Sequence, residues 1–563
     1  MTSSWKLKPH PVLPRGKPLL VCILDGWAEG IEDEFNAIHV AKTPTMDALK
    51  ATAPERWRLL KAHGSAVGLP SDSDMGNSEV GHNALGAGKI YKQGAGLVDH
   101  ALSSGKLFQS PSFAYVKEAF SASPNRTLHL IGLLSDGGVH SRFDHLVKLM
   151  HGCASHGAKR IRVHVLTDGR DVADGTSFQF VEALEKELAQ LAKKGGCDAR
   201  IASGGGRMNV TMDRYENDWR IVERGWRAHI LGDAPHKFSS ALEALKVLKE
   251  ADPSKCNDQY YPPWVIVDKE GQPIGRVGDG DAVITFNFRA DRMVMLSKAL
   301  EYDKFTHFDR TRFPKIRFAG MTQYDTELKL PRHFLVTPPE IQGTSGEWLV
   351  RNGVRTFACS ETVKFGHVTF YWNGNRSGKF DEKLETYKEI PTDLDIQFNE
   401  KPRMKADEIA AAASNAILSH KYDQVRINFP NGDMVGHTGD LKATILACEA
   451  VDQGIKVCLG AVDQAGGIFL ITCDHGNAED MVKRDPKTGK PVRDASGKLQ
   501  PLTSHTLAPV PIAIGGPGLH PGVRFRNDLP AAGLANVAAT IINLLGFEAP
   551  SDMEPTLIEV RPP

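Results

Sequence analysis

Short apolar runs that stop at an aspartate or a histidine recur along this chain and alternate with helical patterns. Leu19-Leu20-Val21-Cys22-Ile23-Leu24 closes at Asp25. Val425 to Phe429 is followed by Asp433 and His437, and Ile468 to Cys473 by Asp474 and His475. Apolar runs of this length, separated by helices, predict an α/β fold with parallel sheets covered on both faces. Ligands bind open α/β sheets at the carboxyl ends of the strands, so one place can collect all these side chains. Their mixture of oxygen and nitrogen donors suits divalent metal ions.

Strands are expected at 18–24, 127–134, 160–166, 282–288, 424–429 and 467–473. One helix opens at Thr43-Pro44, as N-cap and first helical residue. Another covers 177–193, with Phe180, Leu184, Leu188 and Leu191 on one stripe. Two more cover 440–464 and 534–546. A chain of 563 residues exceeds the usual size of one domain, and two stretches read as hinges. Lys89 to Gly96 contains glycines, and Leu335 to Glu340 carries paired prolines. The metal-ligand candidates lie before the first and after the second. Residues 1–91 and 339–563 are therefore expected to form one discontinuous domain, with 92–338 inserted as another. Arg484 to Pro501 is polar and reads as a surface loop.

Composition excludes some partners. Lys+Arg and Asp+Glu both total 68, so no net field attracts nucleic acid or an anionic membrane. No apolar stretch is long enough to span a bilayer, and Met1 to Arg15 lacks a signal-peptide pattern. The eight cysteines include no CxxC pair and read as buried reduced thiols of a cytoplasmic protein.

Asp433 and His437 stand four residues apart, on a loop or a helix start, and both can reach one ion. His505 is a third ligand candidate. Asp474, His475 and Asp25 could hold a second ion. A lone DxxxH is common on surfaces, but three Asp/His sites each after a buried strand are not. An uncompensated carboxylate beside a core is costly, and a cation compensates it. Ser78, in Asp74-Met-Gly-Asn-Ser-Glu-Val-Gly-His82, is the nucleophile candidate. A helix starting there would favour an anion at its N-terminus; the alternative is that Ser78 simply caps the helix. Coordination to a divalent ion would activate the hydroxyl.

Between the hinges, arginines follow apolar runs: Arg170 beside Asp168 and Asp171, Arg207 after the glycine-rich loop Ser203 to Gly206, Arg214 at the start of the helix that follows, and Arg289 and Arg292. Guanidinium forks match carboxylate and phosphate oxygens, which suggests a pocket for a small polyanion rather than the broad basic stripe of a nucleic-acid face. The alternative is structural pairing with Asp168, Asp171, Asp213 and Asp291. His140 also follows a strand and could orient a substrate. Asp171 is a candidate general base. Lys364, in the outer domain, could neutralise charge on a transferring phosphoryl group.

These motifs resemble the cofactor-independent phosphoglycerate mutases, of the alkaline phosphatase superfamily, over essentially the whole length and with the look of the plant and trypanosomatid branch. The resemblance rests on Asp74 to Gly88, Leu133 to Arg142, Thr167 to Asp171, Phe286 to Arg292, Asp433 to His437 and Cys473 to Ala478. It implies a phosphatase-like metal domain holding two divalent ions, commonly manganese, with magnesium or cobalt in some members. One ion would sit on Asp433, His437 and His505, the other on Asp25, Ser78, Asp474 and His475. Ser78 would take the phosphoryl group of 3-phosphoglycerate as phosphoserine. His140, Arg170, Asp171, Arg207 and Arg214 would retain the glycerate until it reorients and leaves as 2-phosphoglycerate, without free 2,3-bisphosphoglycerate. Arg289, Arg292 and Lys364 would hold the phosphoryl oxygens. Closure of the two domains would exclude water from phosphoserine, and the family leads us to expect a monomer.

Two positions depart from the family's pattern: Asn209 where an aromatic is expected, and Ala28 where many members have glycine. The rival readings are a metal-dependent phosphomonoesterase or sugar-phosphate mutase on the same metal domain, and a scaffold protein with a degenerate site. All expected ligands and the nucleophile are present, which speaks against the last.

Overall fold

The computed structural model describes residues 5–561 except 70, 93, 214, 215, 217, 254, 255, 326, 327, 339, 395, 486, 487 and 494–496. The chain divides into two compact units, Met1–Lys92 with Pro339–Pro563, and Gln93–Pro338.

The first unit is built on a seven-stranded sheet. Its order is Glu385–Ile390, Thr356–Glu361, Gln424–Phe429, Leu19–Leu24, Ile468–Thr472, Val510–Gly515, Trp57–Leu60. The first five strands run parallel and the last two join antiparallel. Leu19–Leu24 is central and wholly buried, as a strand covered on both faces must be. Helix Leu441–Gln464 begins at Asp440, whose carboxylate accepts from Ala443 N at 3.0 Å. Thr43 occupies the N-cap of helix Pro44–Thr52 but makes no side-chain cap bond. Asp452 does that work from a distance, accepting from Thr45 N at 3.1 Å and Met46 N at 2.9 Å. The expected helix over 534–546 is a 3₁₀ turn at Leu534–Asn536 followed by α-helix Val537–Leu544. The polar segment 484–501 folds back on itself through the bridges Val482–Pro501, Arg484–Pro491 and Arg493–Leu499.

The second unit holds another seven-stranded sheet, in the order His236–Phe238, Trp264–Ile266, Asp198–Gly206, Arg160–Thr167, Leu128–Leu134, Ala282–Thr285, Arg317–Gly320. All pairs are parallel except Asp198–Gly206 with Trp264–Ile266. Two expectations are corrected here. Ser203 to Gly206 is the end of a strand rather than a loop. Its glycines are needed because neighbours press against the backbone: a Cβ on Gly204 would lie 2.3 Å from the Trp264 ring, and one on Gly206 2.3 Å from Gln259 O. The strand expected over 282–288 stops at Thr285, because the chain then leaves the sheet and Phe288 N donates to His140 O at 2.9 Å.

No helix among the described residues is long and apolar enough to cross a membrane. All eight cysteines are buried and unpaired with one another.

Candidate metal centre and anion pocket

Four adjacent parallel strands of the first unit, Thr356–Glu361, Gln424–Phe429, Leu19–Leu24 and Ile468–Thr472, end at the same edge. Lys364, Asp433 with His437, Asp25, and Asp474 with His475 follow them in that order. Two donor groups form there. Asp433, His437 and His505 bring ligand atoms within 4.8 Å of one another, and so do Asp25, Asp474 and His475. Asp433 and His437 are carried by the short helix Asn431–Gly436 and its C-cap. Gly26 lets the two groups approach, since a Cβ there would meet Asp433 N at 2.6 Å and its φ is +75°.

Ser78 is the first residue of helix Ser78–Ala87. Asn77, not Ser78, caps that helix, accepting from Val80 N at 3.0 Å. The serine hydroxyl is thereby left for the site. It lies 2.9 Å from His475 Nε2, 3.3 Å from Asp25 Oδ1 and 2.7 Å from Lys364 Nζ. Lys364 also donates to Asp433 Oδ2 at 2.8 Å and lies 3.4 Å from Asp25 Oδ1.

The charge and hydrogen-bond balance fits divalent cations. Asp25, Asp433, Asp474 and Lys364 are all at most 1 % exposed, so three carboxylates face one ammonium in a dry setting. Burial pushes Asp25 and Asp433 upward, but Lys364 and the imidazoles outweigh it and hold both well below the usual carboxylate range. Asp474 moves the other way: burial and the charge on Asp25 drive it up to about 8 against the effect of His475 and Lys364. Burial alone would lower His475, yet Asp474, Asp433 and Asp25 raise it to about 10. The imidazoles are oriented for coordination. Nδ1 faces Thr503 O at 2.7 Å in His437, Gly76 O at 2.8 Å in His505 and Gly476 O at 3.2 Å in His475. In the neutral form of each ring a proton on Nδ1 would leave the Nε2 lone pair inward, the arrangement metal-ligating histidines use. Inside, Nε2 of His505 and Nε2 of His437 sit 3.1 Å apart, and each is 3.1 Å from Asp433 Oδ1. Two ring nitrogens converging on one carboxylate oxygen make a donor set that suits a divalent cation.

Sequence reading missed three polar side chains behind these donors. Asn428 Nδ2 donates to Asp25 Oδ2 at 2.8 Å and Asn477 Nδ2 to Asp433 Oδ1 at 2.9 Å. His82 lies 3.4 Å from Asp474. The i, i+4 spacing of Ser78 and His82 and an amide near the end of a buried strand were the available signals. Ala28 is buried against Gly476.

In the second unit, the adjacent strands Asp198–Gly206, Arg160–Thr167, Leu128–Leu134 and Ala282–Thr285 likewise end together. Arg207 bridges Asp168 Oδ1 at 2.7 Å and Asp171 Oδ2 at 2.6 Å, so here the ion-pair reading of an arginine is realised. Ser135 Oγ donates to the other oxygen of Asp168 at 2.5 Å. His140 Nδ1 and Arg289 Nε lie 3.6 and 3.4 Å from Asp291 Oδ1. Burial keeps His140 well below its ordinary value, hence neutral. Arg292 donates to Met212 O at 2.6 Å, and Arg170 is exposed. Arg214 lies outside the described residues; the next described helix, Trp219–Gly225, starts at Asp218. Asn209 donates to Tyr260 O at 2.5 Å. A third Asp/His group, Asp99, Asp144 and His145, is already neutralised: Arg142 binds both carboxylates and Lys148 binds Asp144.

The fold and the two donor groups define a metalloenzyme. A family profile described as the metalloenzyme superfamily matches residues 17–549. The 2,3-bisphosphoglycerate-independent phosphoglycerate mutase of Ricinus communis is 68% identical over 556 residues, 99% of each chain. That of Trypanosoma brucei brucei is 61% identical over 554 residues, 98% of this chain and 99% of its own. The crystal structure of Leishmania mexicana phosphoglycerate mutase at low cobalt concentration is 57% identical and covers 99% of this chain and 100% of its own, with a TM-score of 0.65. The chain belongs to the metalloenzyme superfamily and, within it, to the family of 2,3-bisphosphoglycerate-independent phosphoglycerate mutases.

Proposed function

We propose that this protein interconverts 3-phosphoglycerate and 2-phosphoglycerate through a phosphoserine on Ser78, with two divalent ions, manganese first among them and magnesium or cobalt as alternatives, and without free 2,3-bisphosphoglycerate. The observation that carries the reading is the position of Ser78 Oγ, not used as the helix cap and within 2.7 to 3.3 Å of Lys364, His475 and Asp25. Asp433, His437 and His505 would hold one ion, and Asp25, Asp474, His475 and Ser78 the other. Bound ions lower the pKa of a coordinated hydroxyl and neutralise phosphoryl charge.

The protein's own groups do the rest. Ser78 Oγ gives up its proton and attacks the phosphoryl group, the P–O bond to the substrate breaks, and the leaving oxygen takes up a proton to give glycerate. The ammonium of Lys364, already on Ser78 Oγ, follows the charge onto the phosphoryl oxygens, with Arg289 and Arg292 as further holders. His140, Arg170, Asp171, Arg207 and Arg214 retain glycerate, and Asp171 accepts the proton of the hydroxyl that attacks phosphoserine. Arg207, fixed on Asp168 and Asp171, presents its fork without a reorganisation cost. The protein acts as a cytoplasmic monomer on this reading.

The test feeds 3-phosphoglycerate to the manganese-loaded protein and follows 2-phosphoglycerate and inorganic phosphate together. The mutase reading expects 2-phosphoglycerate to dominate and chelation to stop it. Dominant phosphate release would make the protein a phosphomonoesterase.

A further inference from the structure

We propose that Asn428 and His82 are positioning residues that aim one oxygen of Asp25 at the second ion and tie it to the first turn of the nucleophile helix. The inference rests on the metal-dependent reading above. Asn428 and His82 are fully buried. Asn428 sits one residue from the end of strand Gln424–Phe429, in register with Ile23 of the neighbouring strand, which carries its amide beside Asp25. Nδ2 donates to Asp25 Oδ2 at 2.8 Å and lies 3.0 Å from His82 Nε2. His82 Nδ1 lies 2.8 Å from Ser78 O and 3.4 Å from Asp474 Oδ2, so the ring proton belongs on Nδ1 and Nε2 accepts from Asn428.

The direction of each bond is forced. A flipped amide would set its oxygen against the Asp25 carboxylate and the His82 lone pair. The result divides the work of Asp25. Oδ2 is held from behind by Asn428, while Oδ1 faces Ser78 Oγ at 3.3 Å and His475 Nε2 at 3.4 Å. The amide is kept although its own Oδ1 is buried without a hydrogen-bond partner. An apolar side chain at this point would spare that oxygen but leave Asp25 Oδ2 and His82 Nε2 without their donor, so the asparagine is accounted for by these two bonds rather than by packing.

Calorimetric titration of the metal-stripped full chain with Mn²⁺ tests this. His437→Ala with His505→Ala leaves the Asp25–Asp474–His475 group as parent site. Added Asn428→Leu is expected to raise its Kd roughly 10- to 100-fold, and His82→Phe to do the same. His82→Gln, able to accept from Asn428 and donate to Ser78 O, is expected to stay within about threefold of the parent. In the otherwise native enzyme, Asn428→Leu is expected to lower kcat while KM stays within about twofold. Asn428→Ser carries the comparison if the leucine variant does not fold. An unchanged Kd in the asparagine variants overturns the proposal. So does an equal loss at the other site, measured in a His475→Ala background, because that is general destabilisation. A parent that takes up no Mn²⁺ overturns the metal-dependent reading itself, and the relay with it.

Discussion

Ser78 and Lys364 share one hydrogen bond and opposite chemical tasks, so their replacements are expected to separate. Ser78→Ala removes the phosphoryl acceptor, and kcat for the mutase reaction is expected to fall roughly 10⁴-fold, while the fold is unaffected. A rapid-quench search for phosphoserine checks it: retention of an acid-stable phosphoprotein in Ser78→Ala would place the acceptor elsewhere. Lys364→Met acts on stability as well. Without its ammonium, 2.8 Å from Asp433 Oδ2 and 3.4 Å from Asp25 Oδ1, two buried carboxylates lose their compensation. Breaking such a buried arrangement costs about 3–5 kcal/mol, so the metal-free variant is expected to melt well below the metal-free parent. Mn²⁺ supplies positive charge at the same place and is expected to restore most of the difference. A variant that melts with the parent whether or not metal is present would mean that Lys364 carries no such charge balance.

At the level of strands and helices, much of the chain was legible because its central strands are apolar, short and closed by polar side chains. Leu19–Leu24, Leu128–Leu134, Arg160–Thr167, Gln424–Phe429 and Ile468–Thr472 follow from pattern alone, and Asp25, Asp433 and Asp474 stood out as candidate donors because each comes just after such a strand. Strands near the sheet edges were not legible. Glu385–Ile390 and Trp57–Leu60 are partly exposed and charged, and His236–Phe238 has only three residues. Gly204 to Gly206 misled for a different reason. Glycine weakens a strand in isolation, and only the tertiary neighbours Trp264 and Gln259 reveal why side chains are excluded. The same limit applies to Asn428, Asn477 and His82, whose roles depend on which atoms lie across the sheet. The glycine argument is testable. Gly206→Ala would place a Cβ 2.3 Å from Gln259 O and 2.5 Å from Tyr260 N, backbone atoms with little room to yield. Overpacking of this kind costs about 1–3 kcal/mol. Arg207 is the next residue, so the variant is expected both to melt several degrees lower and to raise KM for 3-phosphoglycerate. A melting temperature within a degree of the parent would show that the strand can shift.

Over the whole molecule, both units place their candidate site residues at the carboxyl ends of adjacent parallel strands, but they balance buried polarity differently. The first unit concentrates carboxylates and calls for cations. The second pairs buried Arg207 with carboxylates and also threads its core with a chain of imidazoles. His229 Nδ1 lies 2.7 Å from Ser203 Oγ, Ser203 Oγ 2.6 Å from His164 Nδ1, His164 Nε2 2.9 Å from His129 Nδ1, and His129 Nε2 3.3 Å from Asp281 Oδ2. With every imidazole neutral, each donor finds an acceptor in one direction, ending on the carboxylate. An added proton has no acceptor within this chain. Burial therefore depresses all three histidines: His129 below its ordinary value despite Asp281, His164 well below it with further lowering from its neighbours, and His229 to about 3. The sign follows. Above about pH 6.5 folded and unfolded imidazoles are both neutral, and nothing is lost. Below it the unfolded chain binds protons that the folded unit refuses. Stability then falls by up to about 1.4 kcal/mol per pH unit for each histidine, and for His229 the window runs down to about 3. Asp281 is also lowered, by its bond to His129 against the effect of burial, but as a carboxylate it acts below this range. Native-state hydrogen exchange in Leu128–Leu134, Arg160–Thr167 and Asp198–Gly206, followed on metal-free protein from pH 7.5 to 5, is expected to show opening free energies that decline with this slope after correction for intrinsic exchange. His229→Gln keeps an N–H for Ser203 and cannot be protonated, so its slope is expected to be shallower by about one proton. Equal slopes in the two proteins would mean that His229 takes up a proton without leaving the folded core.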